Sequence, residues 1–399
     1  MSRANLNRRS FMEQALGAAA AGTAVLPTPT QADAPAEGPI RKIKIGIIGC
    51  GFIGDIHAAA FRMVPGAEVI AVASRSPGKA EHFAKERGIA NAYQDYRQLL
   101  AMKEIDLVTL AVPNDLHCEM TLAAARAGKH IVCEKPLCRT LDEADRMIDA
   151  CRKAGVLLMY AEELCFAPKY VRAKKLVDEG ALGKVFLVKQ SEEHFGPHEP
   201  WFWDVNRSGG GVLLDMGCHS IEYARWVFGK PAVKSVTATM GTYVHADKTR
   251  GEDHAFCVVE YDGGRVGHAE NSWAKQGGVD DRCEIYGSGG FTRADLLRGS
   301  ALLTYSEPGY GYAVEKAATT KGYTFTMFEE IWNYGFPQEM QHFVHCVLGK
   351  ETPIETGEDG REVLKIIYAA YESAGAGKRI DWPYQPRSVA KPIDLWRAI

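Results

Sequence analysis

Along residues 41–163, short apolar runs alternate with amphipathic stretches, and this alternation predicts strands separated by helices. The first run, Ile43 to Ile48, is β-branched and short, as a buried strand requires. Further strands are predicted over Ala67 to Ala73, Leu107 to Val112, Ile131 to Glu134 and Val156 to Ala161, with helices near Lys79 to Glu86 and Leu116 to Ala127. Thr140 and Glu143 have the spacing of a capping box. Leu141, Ala144, Met147, Ile148 and Cys151 then share one helical face until Gly155 ends it. Strands joined by helical crossovers pair in parallel, so this part reads as a doubly wound parallel sheet.

Beyond Ala167-Pro168 the period changes, and extended segments dominate. They are predicted over Val185 to Glu193, Val233 to Val244, His254 to Tyr261, Arg265 to Trp273, Arg282 to Tyr286 and Leu302 to Tyr305, many joined by Gly-rich turns. Helices are expected near Tyr170 to Asp178, Ile221 to Phe228, Glu339 to Leu348 and Gly360 to Ser373. The economical reading is an open, mostly antiparallel sheet.

Five stretches carry chemistry. Gly49-Cys50-Gly51-Phe52-Ile53-Gly54 is G-x-G-x-x-G between a strand and a helix, a loop that seats a pyrophosphate on the helix N-terminus. The second strand ends in Ser74-Arg75-Ser76, where an NAD site would place an acid. Arg75 is a partner for a phosphate, which favours NADP over the alternative, NAD, unless Arg75 only stacks on the adenine or faces solvent.

Lys135, in Ile131-Val132-Cys133-Glu134-Lys135-Pro136-Leu137, follows a strand and so lies at the carboxyl edge of the parallel sheet, where ligands bind. It is placed to hydrogen-bond an alkoxide, or to have its pKa lowered by the cleft. Asp215 and His219 are four residues apart. On one helix they share a face, the acid orienting an imidazole that titrates near working pH. A helix cap beside a core histidine is the other reading of that pair. Trp201 and Trp203, in the aromatic stretch from His194 to Trp203, are candidates for stacking on a pyranose or for ordinary core anchors.

A net charge of −3, with acids and bases evenly spread, calls for no nucleic acid and no membrane surface, and leaves a small molecule as partner. No metal site is expected. The ten cysteines contain no C-x-x-C and read as buried small hydrophobes. Asn7-Arg8-Arg9-Ser10-Phe11-Met12, the apolar run Ala15 to Leu26 and Ala32-Asp33-Ala34 outline a twin-arginine signal with a cleavage site. That route exports folded protein, so a periplasmic location is compatible with reduced thiols; an uncleaved N-terminal arm and a cytoplasmic protein are the alternative.

Gly49 to Gly54 with His57, Pro113-Asn114-x-x-His117, Glu134-Lys135-Pro136 and Gly209-Gly210-Gly211 leading to Asp215-x-Gly217-x-His219 occur in family-like order and spacing. Together they resemble the Gfo/Idh/MocA (glucose-fructose oxidoreductase / inositol dehydrogenase) family over about Arg41 to Asp381. The resemblance implies an α/β protein with an N-terminal Rossmann domain, expected over 41–163, and a C-terminal α/β domain, expected over 164–382, whose large, mostly antiparallel open sheet makes a homo-oligomer; 1–40 are read as signal and linker, and 383–399 as a tail.

It implies that Lys135 and His219 are the catalytic pair, with Asp215 on substrate hydroxyls. Pro113, Asn114, His117 and Glu134 would line the nicotinamide riboside, and His57 would be structural. The expected activity is NAD(P)-dependent oxidation of a secondary hydroxyl of a sugar or polyol, the tightly held cofactor being recycled by a second sugar. A redox-assisted glycosidase and a non-enzymatic nucleotide sensor are the alternatives within the family. Cys165-Phe166-Ala167-Pro168 departs from the family's arginine-containing pattern, with Glu162 and Glu163 just before it.

Overall fold

The computed structural model describes residues 41–297, 303–311, 315–317, 319–325 and 330–397. The expected export signal and cleavage site lie outside the described residues. The first layer comprises β1 (Ile43–Ile48), α1 (Phe52–Arg62), β2 (Ala67–Ala73), α2 (Lys79–Arg87), β3 (Asn91–Tyr93), α3 (Tyr96–Leu100), β4 (Leu107–Leu110), α4 (Asn114–Arg126), β5 (His130–Glu134), α5 (Leu141–Ala154) and β6 (Leu158–Ala161). Its six strands are all parallel, in the order β3-β2-β1-β4-β5-β6. Such a sheet is covered on both faces. Accordingly Leu107, Val108, Ile131, Val132 and Cys133 are fully buried. The strand order reverses between β1 and β4, which opens a crevice at their carboxyl ends.

Several boundaries move. β4 stops at Leu110, not Val112, because Ala111 and Val112 leave the ladder to border the crevice, and β6 starts at Leu158, two residues later than expected. β3 and α3 were not expected; three residues and five residues are too short to display a period. The capping box forms as anticipated: Thr140 Oγ1 accepts the Glu143 N–H at 3.1 Å, and Gly155 closes α5 in the left-handed region.

After α6 (Pro168–Asp178) come β7 (Val185–Glu193), α7 (Val205–Ser208), α8 (Val212–Asp215), α9 (Gly217–Val227), β8 (Val233–Gly241), β9 (His254–Tyr261), β10 (Arg265–Ser272), β11 (Asp280–Gly287) and β12 (Gly290–Asp295). β13 (Leu303–Ser306), β14 (Gly322–Phe325), α10 (Glu330–Asn333), α11 (Phe336–Val347), α12 (Gly357–Ala376) and β15 (Ile380–Asp381) follow. The second sheet runs β12-β11-β7-β10-β9-β8-β15; only β7 and β10 pair in parallel. The strand expected at Leu302 to Tyr305 does not join it, β13 pairing instead with β14 as a separate ribbon. One face packs on α9 and α12. The other is open: β9 alternates half-buried and buried residues, and Phe256 stacks on His268 there.

All ten cysteines are free and buried. Among the described residues no helix is long and apolar enough to cross a membrane.

Candidate active site

The glycine loop is built for close approach. Gly49 has φ +112, and a Cβ there would lie 1.9 Å from the Ala111 carbonyl oxygen; one on Gly54 would lie 2.1 Å from that of Gly49. These two positions admit only glycine, and they bring the start of α1 against β1 and β4. The crevice beside them has a volume of about 1200 Å³, room for a dinucleotide and a small molecule. Gly49, Gly51, Phe52 and Ile53 line it, as do Ser74, Arg75, Pro113, Asn114, Glu134 and Lys135. Lys79, at the first turn of α2, joins Arg75 at the same end. This donor set fits a nicotinamide dinucleotide: the exposed amides of a helix N-terminus for phosphates, and two cations where the adenosine ribose would sit.

His117 is not brought into the crevice. It is fully buried, with Nε2 2.8 Å from the Val112 oxygen and Nδ1 3.0 Å from the Pro136 oxygen, so it ties the end of β4 to the turn after Lys135. His57 is structural as expected: Nδ1 meets Thr109 Oγ1 at 2.7 Å and Nε2 meets Glu134 Oε1 at 2.8 Å. Glu134 also accepts the Lys135 backbone N–H at 3.0 Å. Burial opposes its ionisation, but His57 and Lys135 outweigh it, and Glu134 titrates below the usual range.

Lys135 Nζ donates to Asp215 at both its backbone oxygen, 3.1 Å, and Oδ1, 3.2 Å. The other carboxylate oxygen accepts from the Trp273 indole at 3.2 Å. Burial disfavours the ammonium, yet Asp215 with Glu163 and Glu192 holds Lys135 well above the ordinary lysine range. The expectation of a lowered lysine is therefore corrected: in this acidic pocket Lys135 stays charged.

Asp215 and His219 do not share one helix. α8 ends at Asp215, Met216 (φ −107, ψ −29) breaks the run, and α9 starts at Gly217. Nor does Asp215 orient the imidazole. His219 Nδ1 contacts Glu162 Oε1 at 2.6 Å, both groups buried. Glu163 Oε2 is 3.7 Å from the same nitrogen, and Glu192 Oε2 is 4.0 Å from Nε2. Burial, with Lys135 adding to it against the pull of Glu163 and Asp215, lowers His219 to about 4. It does not titrate near neutrality but is a neutral imidazole there. Burial and the neighbouring Glu222 push Glu162 well above the usual range, and burial raises Glu163 to about 7.

Trp201 lines the crevice with His194, Phe202, Glu163, Glu192, His219 and Tyr334; Trp203 does not. Trp203 packs on Trp273 and His245, with ring centroids 5.5 and 4.9 Å away, as a core anchor. Glu162, Glu192 and Lys79 were not read as site residues. For two of them a signal was present: carboxylates ending strands otherwise buried, as in Tyr160-Ala161-Glu162-Glu163 and Gln190-Ser191-Glu192-Glu193.

Residues 43–162 match the oxidoreductase family with an NAD-binding Rossmann fold, and residues 170–293 match the GFO/IDH/MocA C-terminal domain. The chain belongs to the Gfo/Idh/MocA oxidoreductase family. Myo-inositol 2-dehydrogenase of Thermotoga maritima is 30% identical over 83% of this chain and 96% of its own length. D-xylose 1-dehydrogenase (NADP(+)) 2 of Haloferax volcanii is 32% identical over 84% of this chain and 98% of its own. The crystal structure of GenD2 from gentamicin A biosynthesis, in complex with NAD, superimposes with a TM-score of 0.82 at 28% identity, covering 88% of this chain and 99% of that one. As a Gfo/Idh/MocA protein the chain is an NAD(P)-dependent oxidoreductase, its Rossmann sheet carrying the glycine loop.

Proposed function

We propose that this chain removes hydride from the carbon bearing a secondary hydroxyl of a sugar or polyol, His219 taking the hydroxyl proton and Lys135 holding the developing alkoxide. The observation that carries it is the pair on one crevice: Lys135, ion-paired to Asp215 at 3.2 Å and so kept charged, and His219, buried 2.6 Å from Glu162 and so kept neutral. When bound, the nicotinamide accepts the hydride. With its proton on Nδ1 toward Glu162, His219 keeps the Nε2 lone pair free as the base, and Glu162 fixes the ring in that tautomer. Lys135 acts as a fixed donor, a contribution of roughly 10²–10³ in rate for groups of this kind. Asp215, anchored by Trp273, keeps the ammonium aimed.

Finer points of this reading are also proposals. Arg75 and Lys79 line this end of the crevice, and Ser74-Arg75-Ser76 puts no acid at the end of β2, which supports NADP. His198 stacks on Phe52 at 4.9 Å and Glu199 lies over Gly51, so a seated dinucleotide leaves only when this loop moves; that supports a retained cofactor recycled by a second sugar. Retention suits a protein exported through the Arg8-Arg9 signal, and the open sheet face suits a homo-oligomer. The test is to denature the purified protein, identify any released nucleotide, and follow nicotinamide absorbance of intact protein across a panel of monosaccharides and cyclitols. Reduction is expected, falling by roughly 10³ in Lys135→Met. No reduction with any sugar overturns the dehydrogenase reading. Released NAD overturns NADP, and micromolar or weaker exchange, an interaction of about −8 kcal/mol, overturns retention.

A further inference from the structure

The inner end of the crevice holds more acid than its one lysine answers. Asp215 takes Lys135, Glu134 takes His57, and Glu315 takes His198. Glu163 and Glu192 remain. Each is only 9% exposed, and each borders the crevice. Glu192 Oε2 has no hydrogen-bond partner. Among the described residues, the only basic group within 4.0 Å of either carboxylate is the imidazole of His219, whose Nδ1 is 3.7 Å from Glu163 and whose Nε2 is 4.0 Å from Glu192. Behind Glu192 stands a further acid, Asp281, whose Oδ1 is used by Tyr170 and Gln190.

A carboxylate taken from water this far needs either a proton or a cation. The neighbours facing these two groups are Lys135, Asp215, Glu134, Glu162, Asp281, Tyr334 and the neutral His219, and only Lys135 is positive. Accordingly burial and adjacent acids hold both groups above the usual carboxylate range, Glu163 at about 7. A neutral polyol supplies hydroxyl donors but leaves the charge unanswered. An ammonium supplies three donors and the missing charge at the same point.

We propose that the natural substrate is an amino sugar or aminocyclitol whose protonated amine sits between Glu192 and Glu163, near the hydroxyl presented to His219. This rests on the dehydrogenase reading above, since it uses that hydroxyl to place the ring. The amine is not oxidised; it positions the ring, and its arrival displaces protons that the empty pocket retains.

The test compares matched probes on the full chain loaded with oxidised cofactor: glucosamine against glucose, and 1-amino-1-deoxy-scyllo-inositol against scyllo-inositol. Calorimetry in two buffers of different ionisation heat reads affinity and proton release, and nicotinamide absorbance reads turnover. At pH 7 at least one amine is expected to bind tenfold or more tightly than its neutral partner, with release of protons to buffer. In Glu192→Gln that preference is expected to fall at least tenfold. Glu163→Gln gives the same readout should Glu192→Gln not fold. Equal or tighter binding of the neutral partner in both pairs, or a preference unchanged in both variants, overturns the amine. Neutral sugars oxidised without any amine preference sink this inference and leave the dehydrogenase standing; amine binding without reduction of the nicotinamide by any probe does the reverse.

Discussion

Two buried charge clusters lie one turn apart on α9, and they are finished differently. At its outer end Arg225 Nη1 meets Glu222 at 2.6 Å, and Lys230 Nζ reaches Asp359 at 2.9 Å, Glu355 at 3.1 Å and Glu222 at 3.6 Å. Lys230 thus fills the place between three carboxylates and ties α9 to the first turn of α12, where Thr356 and Asp359 form a capping box. At the inner end, around His219, four carboxylates (Glu162, Glu163, Glu192 and Asp215) face a single cation, Lys135. Burial is similar, so burial alone does not set the difference. The outer cluster is packed against helix, and the chain had to supply its own cations; the inner one borders a crevice, where a ligand supplies what is missing.

Breaking the outer cluster is expected to have the largest effect. Arg225→Met leaves Glu222 and Asp359 short of a buried partner and should destabilise by about 3–5 kcal/mol, read from urea unfolding, while KM stays the same because Arg225 does not line the crevice. A loss of activity without a loss of stability would place Arg225 in the site instead.

At the inner cluster the order reverses. Glu162→Gln replaces the acid that fixes the His219 tautomer with an amide that can turn a donor toward Nδ1, so kcat should fall roughly 10²-fold with little change in unfolding midpoint. An unaltered kcat would leave Glu162 a packing residue.

The smallest effect is a pH dependence. Folding raises Glu163 from 4.5 to about 7, so the folded chain keeps a proton there that the unfolded chain sheds. The contribution is fully present below pH 4.5 and is lost as pH rises through 7. Glu163→Gln should therefore gain on the wild type between pH 5 and pH 8, by roughly 1–3 kcal/mol in paired urea titrations. A constant difference between the two proteins across that range would mean that Glu163 titrates normally.

The glycine loop, the parallel sheet, the capped α5 and the position of Lys135 at a strand end were all evident from neighbours in the chain. Their signals are local: a two-residue or 3.6-residue period, a Gly where φ must be positive, a Thr three residues before a Glu. The partner of His219 was not evident. Asp215, four residues away, was the natural choice, but a break at Met216 separates the two, and Trp273 and Lys135 occupy both oxygens of Asp215. Glu162 reaches the ring because β6 ends where α9 begins to pack, an adjacency across 57 residues that no spacing encodes. His117 and Trp203 failed as crevice residues for the same reason, since which side of an element meets the cavity depends on what covers the other side.

By itself, then, the sequence determined the elements, the cofactor-binding frame and the identity of the residues able to do chemistry, because backbone conformation and amphipathic period are properties of near neighbours. Only the tertiary structure decided which carboxylate serves His219, that Lys135 stays charged and His219 neutral, and that Glu163 and Glu192 are left without a cation. Those are properties of distance and desolvation, and neither exists until the two sheets have closed around the crevice.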